Sequence, residues 1–129
     1  MANQLSNTVG LLVNNANPLP DAVTESAFPI NVIAATGTTQ ATAAPLTSNL
    51  TAISNNTAAN GVVLPVGNVQ QKMYIYPQLI TNAPLLYPPV GGTINFGTIN
   101  AGVAITARKL TEALAIDNTG LNWIVMTGA

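Results

Sequence analysis

Four acidic and three basic side chains are the only charged groups in this 129-residue chain, which contains no His and no Cys. The acids are Asp21, Glu25, Glu112 and Asp117, and the bases are Lys72, Arg108 and Lys109. Acid–base catalysis, thiolate nucleophiles and most metal sites depend on His, on Cys or on clustered acids. The composition therefore predicts that the chain is not an enzyme and binds no cofactor or metal.

The carboxylates are the first candidates for chemistry, because a glycosidase needs two of them about 5–10 Å apart across a cleft. Glu112 and Asp117 are five positions apart, on a predicted strand and the turn after it, so their side chains point to opposite faces. They are better interpreted as a surface charge and a turn residue. Asp21 and Glu25 have the spacing of one helical turn, and Asp21 after Pro20 fits a cap.

Other kinds of site have even less support. A Ser-His-Asp triad is excluded because the chain has no His. Gly91-Gly92 precedes a strand-like run, whereas a phosphate-binding loop opens a helix. Asp117, Asn118 and backbone carbonyls could hold calcium, but one carboxylate makes a weak site. With a net charge of −1 the chain lacks the basic surface that binds nucleic acids and anionic membranes, so neither partner is expected.

Low charge combined with high apolarity points to a protein that works in an assembly. Charged residues make up 5% of the chain and apolar residues 48%, whereas an ordinary domain is about 25% charged. Charge normally keeps free proteins apart, so this surface suits a protein that is covered by others. Polar residues interrupt the uncharged run 26–71 too often for a membrane span. The start of the chain lacks the basic region of a signal peptide, so secretion is not expected.

From residue 36 onward, β-branched and alternating residues recur between Gly, Pro and Asn, which predicts short strands. The predicted strands are 38–45, 49–54, 62–65, 72–77, 85–87, 93–96, 103–106, 110–116 and 122–126. Asn60-Gly61 is a hairpin signal, and Gly91-Gly92 and 118–120 are further turns. This spacing predicts an all-β fold, a small antiparallel sandwich or barrel. An amphipathic helix over residues 101–114 is the alternative for that stretch.

Residues 1–35 differ from the rest, and we predict that they form an extended N-terminal arm attached to a β domain at 36–129. Pro18, Pro20 and Pro29 remove backbone donors and favour extended geometry. Two apolar groups, 11–13 and 30–33, favour an arm that docks on a neighbour. The alternative is a disordered tail, which is common at chain termini.

Alternation also suggests which side chains face a partner. Tyr74 and Tyr76 share one face of their strand, and apolar residues on both faces indicate that the strand is either buried on two sides or meets a partner on one of them. Arg108, Lys109 and Glu112 fall within five positions, which fits either a polar contact to a partner or protection of an edge strand. The predicted interface residues are Leu11, Leu12, Val13, Ile30, Val32, Tyr74, Tyr76, Tyr87, Arg108, Lys109 and Glu112.

Several segments together resemble a known family. They are Gly37-Thr38-Thr39-Gln40-Ala41-Thr42-Ala43-Ala44-Pro45-Leu46-Thr47, Gly61-Val62-Val63-Leu64-Pro65, strands ending in Tyr-Pro at Tyr76-Pro77 and Tyr87-Pro88, Gly91-Gly92-Thr93-Ile94-Asn95 and the late Trp123. Over about residues 36–127 the chain resembles small all-β virion proteins of tailed bacteriophages. It departs from them at 108–112, where small residues and a Gly turn are expected.

The resemblance implies a function and a location. It implies a capsid decoration (cement) protein, usually a homotrimer, which binds the major capsid protein on the outer surface of the virion and stabilises the shell by bridging its subunits. A fibre or head-fibre module that binds carbohydrate on the host surface is the alternative. Aromatic side chains clustered at loop tips would favour the fibre module, and flat apolar surfaces favour the decoration protein.

Overall fold

The computed structural model describes residues 30–54, 60–78 and 82–128. These residues form nine short strands and one 3₁₀ helix, Gln40–Thr42, and they contain no α-helix. The strands are β1 Asn31–Ile33, β2 Ala44–Pro45, β3 Leu50–Ile53, β4 Gly61–Val63, β5 Lys72–Pro77, β6 Leu85–Tyr87, β7 Val103–Ala104, β8 Thr111–Ala115 and β9 Trp123–Thr127. The prediction of an all-β protein is confirmed.

The first six strands alternate between two sheets, so each turn of the chain adds one parallel strand to each sheet. Sheet one has the order β1-β3-β5-β8-β9, and sheet two has the order β2-β4-β6-β7. Pairing is parallel within β1-β3-β5 and within β2-β4-β6. It is antiparallel where β7, β8 and β9 extend the sheets. Both sheets are therefore mixed and neither closes into a barrel, which corrects the predicted antiparallel pairing and the predicted barrel.

The same winding explains why Asn60-Gly61 is not a hairpin turn. β3 and β4 lie in different sheets, because parallel neighbours require the chain to cross over before it returns. Gly61 instead opens β4 and exchanges backbone hydrogen bonds with Thr36, at N···O distances of 3.0 and 3.2 Å. A Cβ on Gly61 would lie 2.6 Å from the ring of Tyr87, so this position is reserved for glycine by packing.

The two sheets share one apolar core, which the period-two alternation of the strands builds. In β5, Met73 and Ile75 are buried while Lys72 and Tyr76 point away from the core. The other core residues come from both sheets and their connections: Ala35, Leu46, Ile53, Val62, Leu64, Leu86, Ile94, Ile105, Ala113, Ala115 and Trp123. Their removal from water is the main force that holds the two sheets together.

Two threonines are buried in this core beside Ile75, one on each neighbouring strand. Thr51 and Thr111 both pair with Ile75 in register, and both are 0% exposed. The Thr51 hydroxyl donates to the Ser48 carbonyl at 3.2 Å, and the Thr111 hydroxyl lies 3.4 Å from that of Thr127. Each buried hydroxyl therefore has the partner that offsets its loss of water.

The outer edge of β9 is covered by the loop that follows β6. The backbone N–H of Trp123 donates to the Thr93 carbonyl at 3.0 Å, and the backbone carbonyl of Trp123 accepts from the backbone N–H of Asn95 at 2.8 Å. The Asn95 side chain continues the pairing, because its oxygen accepts from Val125 N–H and its amide donates to the Val125 carbonyl. The φ angle of Asn95 is +52°, a left-handed conformation that Asn tolerates better than most residues.

Several predicted elements take a different form. The predicted strand 38–45 is a turn with the 3₁₀ helix followed by the two-residue β2, and 93–96 contributes only the isolated bridge between Ile94 and Trp123. The stretch 101–114 contains β7 and most of β8, so the helical alternative is wrong. The predicted strands 72–77 and 85–87 coincide with β5 and β6.

The end of the predicted arm belongs to sheet one. Asn31–Ile33 forms β1 and pairs with β3, while residues 1–29 of the predicted arm lie outside the described residues. Within the described part of the chain there is no helix with the length and apolarity to cross a membrane.

Candidate interaction surface

The face of sheet one that points away from the core carries mostly apolar side chains, and we call it the outer face. Residues paired in register point to the same side of a sheet, so the outward direction of Tyr74 and Tyr76 in β5 assigns the neighbouring strands. The apolar members of the outer face are Val32, Leu50, Tyr74, Tyr76, Leu114, Ile124 and Met126, and Ala52 lies among them but is buried. Val32 and Met126 are 55% and 53% exposed, and Tyr76 is 38% exposed.

These side chains form continuous rows across the strands. One row runs from Leu50 through Tyr74 and Glu112 to Met126, and the next includes Leu114 and Ile124. Neighbours in a row are about 5 Å apart, so their side chains contact one another and form a connected surface. Such a connected apolar surface on a sheet is a typical site for contact with another protein.

One ion pair lies within the outer face. Lys72 Nζ is 3.5 Å from the Glu112 carboxylate, and their side chains are 54% and 29% exposed. Both strands direct these side chains outward, because Lys72 faces Leu114 and Glu112 faces Tyr74 in register. An exposed pair of this kind contributes about 0–1 kcal/mol, so it marks the face without being its main source of affinity.

The structure separates the charges that the sequence places together. Arg108 and Lys109 are exposed in the turn before β8, while Glu112 lies on the outer face with Lys72. Arg108 has a φ of +61°, and its N–H donates to the Pro77 carbonyl at 2.7 Å. β8 lies between β5 and β9, so charges on β8 do not protect an open sheet edge.

Tyr87, which the sequence analysis assigns to an interface, is buried within the chain. It is 7% exposed, and its hydroxyl donates to the Thr38 carbonyl at 3.0 Å. Gly61 and Gly102 make room for the ring, since a Cβ on either would lie within 3 Å of it. Tyr87 therefore connects sheet two to the loop after β1, and its ring is not available to a partner.

The remaining predicted interface residues lie at the beginning of the chain. Ile30 is 59% exposed just before β1, and Val32 lies on the outer face. Leu11, Leu12 and Val13 lie outside the described residues.

Asp117 organises the turn between β8 and β9. Its carboxylate accepts hydrogen bonds from the Thr119 hydroxyl, the Gly120 N–H and the Asn122 amide. The bond from Asn122, followed by that from Thr119, lowers the pKa of Asp117 below its ordinary value of 3.8. Three donors therefore already occupy the one carboxylate that the calcium hypothesis needs. Across the described ranges, no group of three or more His, Cys, Asp or Glu residues could hold a metal ion.

Sequence reasoning missed several members of the outer face, namely Leu50, Leu114, Ile124 and Met126. The available signal was that β9 carries apolar residues on both faces, with Ile124 and Met126 opposite Trp123 and Val125. A second apolar group was also missed. Val90, Phe96 and Ile99 are 76%, 77% and 60% exposed on the loop between β6 and β7.

No family model, curated protein or solved structure matches this chain.

Proposed function

We propose that this chain is a structural protein of a tailed-phage virion, a decoration (cement) protein that binds the outer surface of the capsid and bridges neighbouring subunits. Its partners are the major capsid protein and further copies of itself in a homotrimer. It performs no catalysis and needs no cofactor, nucleic acid or membrane. It stabilises the shell by mass action, since a protein that binds only the assembled shell favours assembly.

The apolar outer face of sheet one is the observation that carries this proposal. Tyr74 and Tyr76 combine large apolar area with a hydroxyl, a combination that is common at protein interfaces. Val32 adds a branched apolar group at one end of the face and Met126 a flexible one at the other end, and both are more than half exposed. A free monomer gains nothing from exposing such a surface, whereas an assembly subunit buries it.

The distribution of charge supports a protein partner. Lys72 and Glu112 neutralise each other on the outer face, and the two bases in the turn before β8 are too few for a phosphate backbone. The face is therefore close to neutral and apolar. It fits another apolar protein surface better than it fits a nucleic acid.

The alternative, a fibre module that binds host carbohydrate, has less support. Among the described aromatic side chains, Tyr74 and Tyr76 lie on the outer face of sheet one, and Tyr87 and Trp123 are buried. Phe96 alone of the described aromatics projects from a loop. Sugar-binding surfaces of the predicted kind need several aromatic rings at a loop tip, and the described loops supply one.

Light scattering on the purified chain and mass spectrometry of gradient-purified virions test the proposal together. We expect light scattering to give the mass of a trimer in solution, and mass spectrometry to find the chain in the particles in a fixed ratio to the major capsid protein. Tyr76→Glu and Met126→Glu each place a charge on the outer face, and they should reduce trimer formation or particle attachment by roughly tenfold or more. Val66→Glu is the matched control, because Val66 is 65% exposed in a loop outside the outer face. A chain that is monomeric at high concentration and missing from the particles would contradict the proposal.

A further inference from the structure

The outer face ends at a turn that carries two exposed cations. Leu110 precedes the buried Thr111, so its side chain points outward, and it is 45% exposed. Its carbonyl accepts from Gly128 N–H at 2.7 Å, which continues the pairing of β8 with β9. Arg108 and Lys109 come directly before it, and both are exposed. We call residues 108–109 the basic turn, and it gives the apolar outer face one basic end.

Neither of the two described acids neutralises the basic turn. Glu112 already lies 3.5 Å from Lys72. The Asp117 carboxylate accepts three hydrogen bonds in the turn after β8, at the other end of that strand. Residues 110–116 between the two turns span about 20 Å in extended geometry, which is more than twice the Debye length of about 8 Å at physiological ionic strength. Among the described residues, the two cations of the basic turn therefore have no carboxylate partner.

The backbone places Arg108 where a glycine would fit better. Its φ is +61°, in the left-handed region that glycine adopts most readily, and its N–H donates to the Pro77 carbonyl at 2.7 Å. The side chain is exposed and makes no ion pair within the described chain, so it does not offset the backbone strain there. Strained residues of this kind cluster at functional sites. A contact with another molecule would explain an arginine at this position.

We propose that the basic turn binds carboxylates on a different protein, whose apolar surface covers the adjoining outer face. Two unpaired cations beside apolar side chains are complementary to a surface that carries Asp or Glu beside its own apolar residues. A second copy of this chain matches less well, because Glu112 is its one described acid on the outer face and is already paired with Lys72. The assignment rests on the proposed function, in which the different protein is the major capsid protein. This end of the outer face then contacts the capsid and not another protomer.

Carbodiimide cross-linking of gradient-purified particles tests this contact, because the reagent joins an amine directly to a carboxylate that pairs with it. The chain has two lysines, Lys72 and Lys109, so each linked peptide can be assigned to one of them. Lys72 lies 3.5 Å from Glu112, and their link within the chain serves as the positive control for the reaction. We expect mass spectrometry to find Lys109 joined to an Asp or Glu of a different protein.

Each outcome of the cross-linking decides the proposal. A link from Lys109 to an acid of this same sequence, Asp21 and Glu25 included, would show that the chain itself or another copy supplies the carboxylate, and it would overturn the proposal. A Lys109 that stays unlinked while the control link forms would also overturn it. In both cases the chain is present in the particles, so the proposed function survives. A chain that is missing from the particles would instead overturn the proposed function and this contact together.

A pair of glycine variants of the full chain separates the charge of Arg108 from its backbone conformation. Gln70 is the matched control, because it is exposed, has a φ of +68° and donates its N–H to the Ala115 carbonyl at 2.8 Å. Arg108→Gly and Gln70→Gly should therefore have similar midpoints in urea denaturation. Attachment to the particles should be roughly threefold or more weaker for Arg108→Gly at about 0.1 M salt, and the difference should disappear near 1 M salt, where the Debye length is about 3 Å. Equal attachment of the two variants at low salt would overturn the proposal.

Discussion

The two edge strands of sheet one, β1 and β9, are treated in opposite ways by the described chain. β9 is covered along its outer edge by Thr93 and Asn95, and the Asn95 amide replaces the backbone partner of Val125. β1 has no such cover among the described residues. The covered strand, β9, is the last of the antiparallel strands of sheet one, and β1 is the first of its parallel strands.

This contrast shows which strand edge has its backbone groups paired within the described chain and which one is available for pairing with a partner. An uncovered strand edge is a template for pairing, so proteins protect it with charges, proline or covering loops. The β9 edge has a covering loop, and the β2 edge has Pro45. Within the described ranges the β1 edge has neither, and it is flanked by the exposed apolar side chains of Ile30 and Val32. Association through this chain is therefore expected at β1 and the adjoining outer face.

The largest expected effect compares the centre of sheet one with its β1 edge. Ile75→Ala removes a fully buried side chain from the central strand, and we expect a loss of about 2–5 kcal/mol in the free energy of unfolding. Ile33→Ala removes a half-buried side chain at the open edge, where the loss should be about 1–2 kcal/mol. Urea denaturation measures both. Equal losses would show that the β1 edge is as enclosed as the centre.

A second prediction removes the cover from β9. Asn95→Ala loses both side-chain hydrogen bonds to Val125 and places alanine at a φ of +52°, so we expect a loss of about 1–3 kcal/mol. Asn95→Gly serves as the control, because it relieves the backbone strain and still lacks the two bonds. Thermal denaturation should rank alanine below glycine and glycine below the native residue. Unchanged stability in both variants would mean that the loop does not protect this edge.

A third, smaller effect depends on pH and concerns the turn that leads into β9. Hydrogen bonds from Asn122 and Thr119 lower the folded-state pKa of Asp117, so its contribution to stability is present above its ordinary, unfolded-state pKa of 3.8. That contribution is lost as the pH falls through the lower, folded value. Asp117→Asn should therefore be less stable than the native chain at neutral pH and show a smaller decline in acid. Parallel declines of both proteins in acid unfolding would contradict this role.

The smallest expected effect concerns the ion pair on the outer face. A double-mutant cycle with Lys72→Gln and Glu112→Gln should give a coupling of about 0–1 kcal/mol that shrinks with added salt. Neither change should disturb the proposed trimer as strongly as we expect Tyr76→Glu to disturb it. A large, salt-independent coupling would instead indicate that the pair is shielded from water.

Much of the local structure could be predicted from residue order. The alternation of Met73 and Ile75 with Tyr74 and Tyr76 correctly predicts β5 and its two faces, because neighbouring side chains on a strand point in opposite directions. The turn at Gly91-Gly92 was predictable for a similar reason, since Gly91 adopts a φ of +85° that suits glycine. Tyr74 and Tyr76 of the outer face follow from the same alternation.

Contacts between distant residues could not be predicted in this way. Tyr87 precedes a proline at the end of its strand region, as Tyr76 does, yet Gly61 and Gly102, from other parts of the chain, make the space that buries its ring. Glu112 is near Arg108 in sequence but pairs with Lys72, because β8 returns antiparallel to β5. The alternation of residues along one strand does not indicate which other strand will pair with it.

The sequence by itself therefore determined an all-β, sparsely charged chain with short strands and apolar residues on both faces of some of them. These properties follow from composition and from the geometry of a single strand, which are local. Only the tertiary structure decided that the strands wind in parallel between two sheets, that Asn60-Gly61 opens a strand instead of a hairpin, and that a loop covers the β9 edge while no described residue covers the β1 edge. Parallel pairing joins residues 18 to 24 positions apart, and its free energy depends on the packing of the whole core.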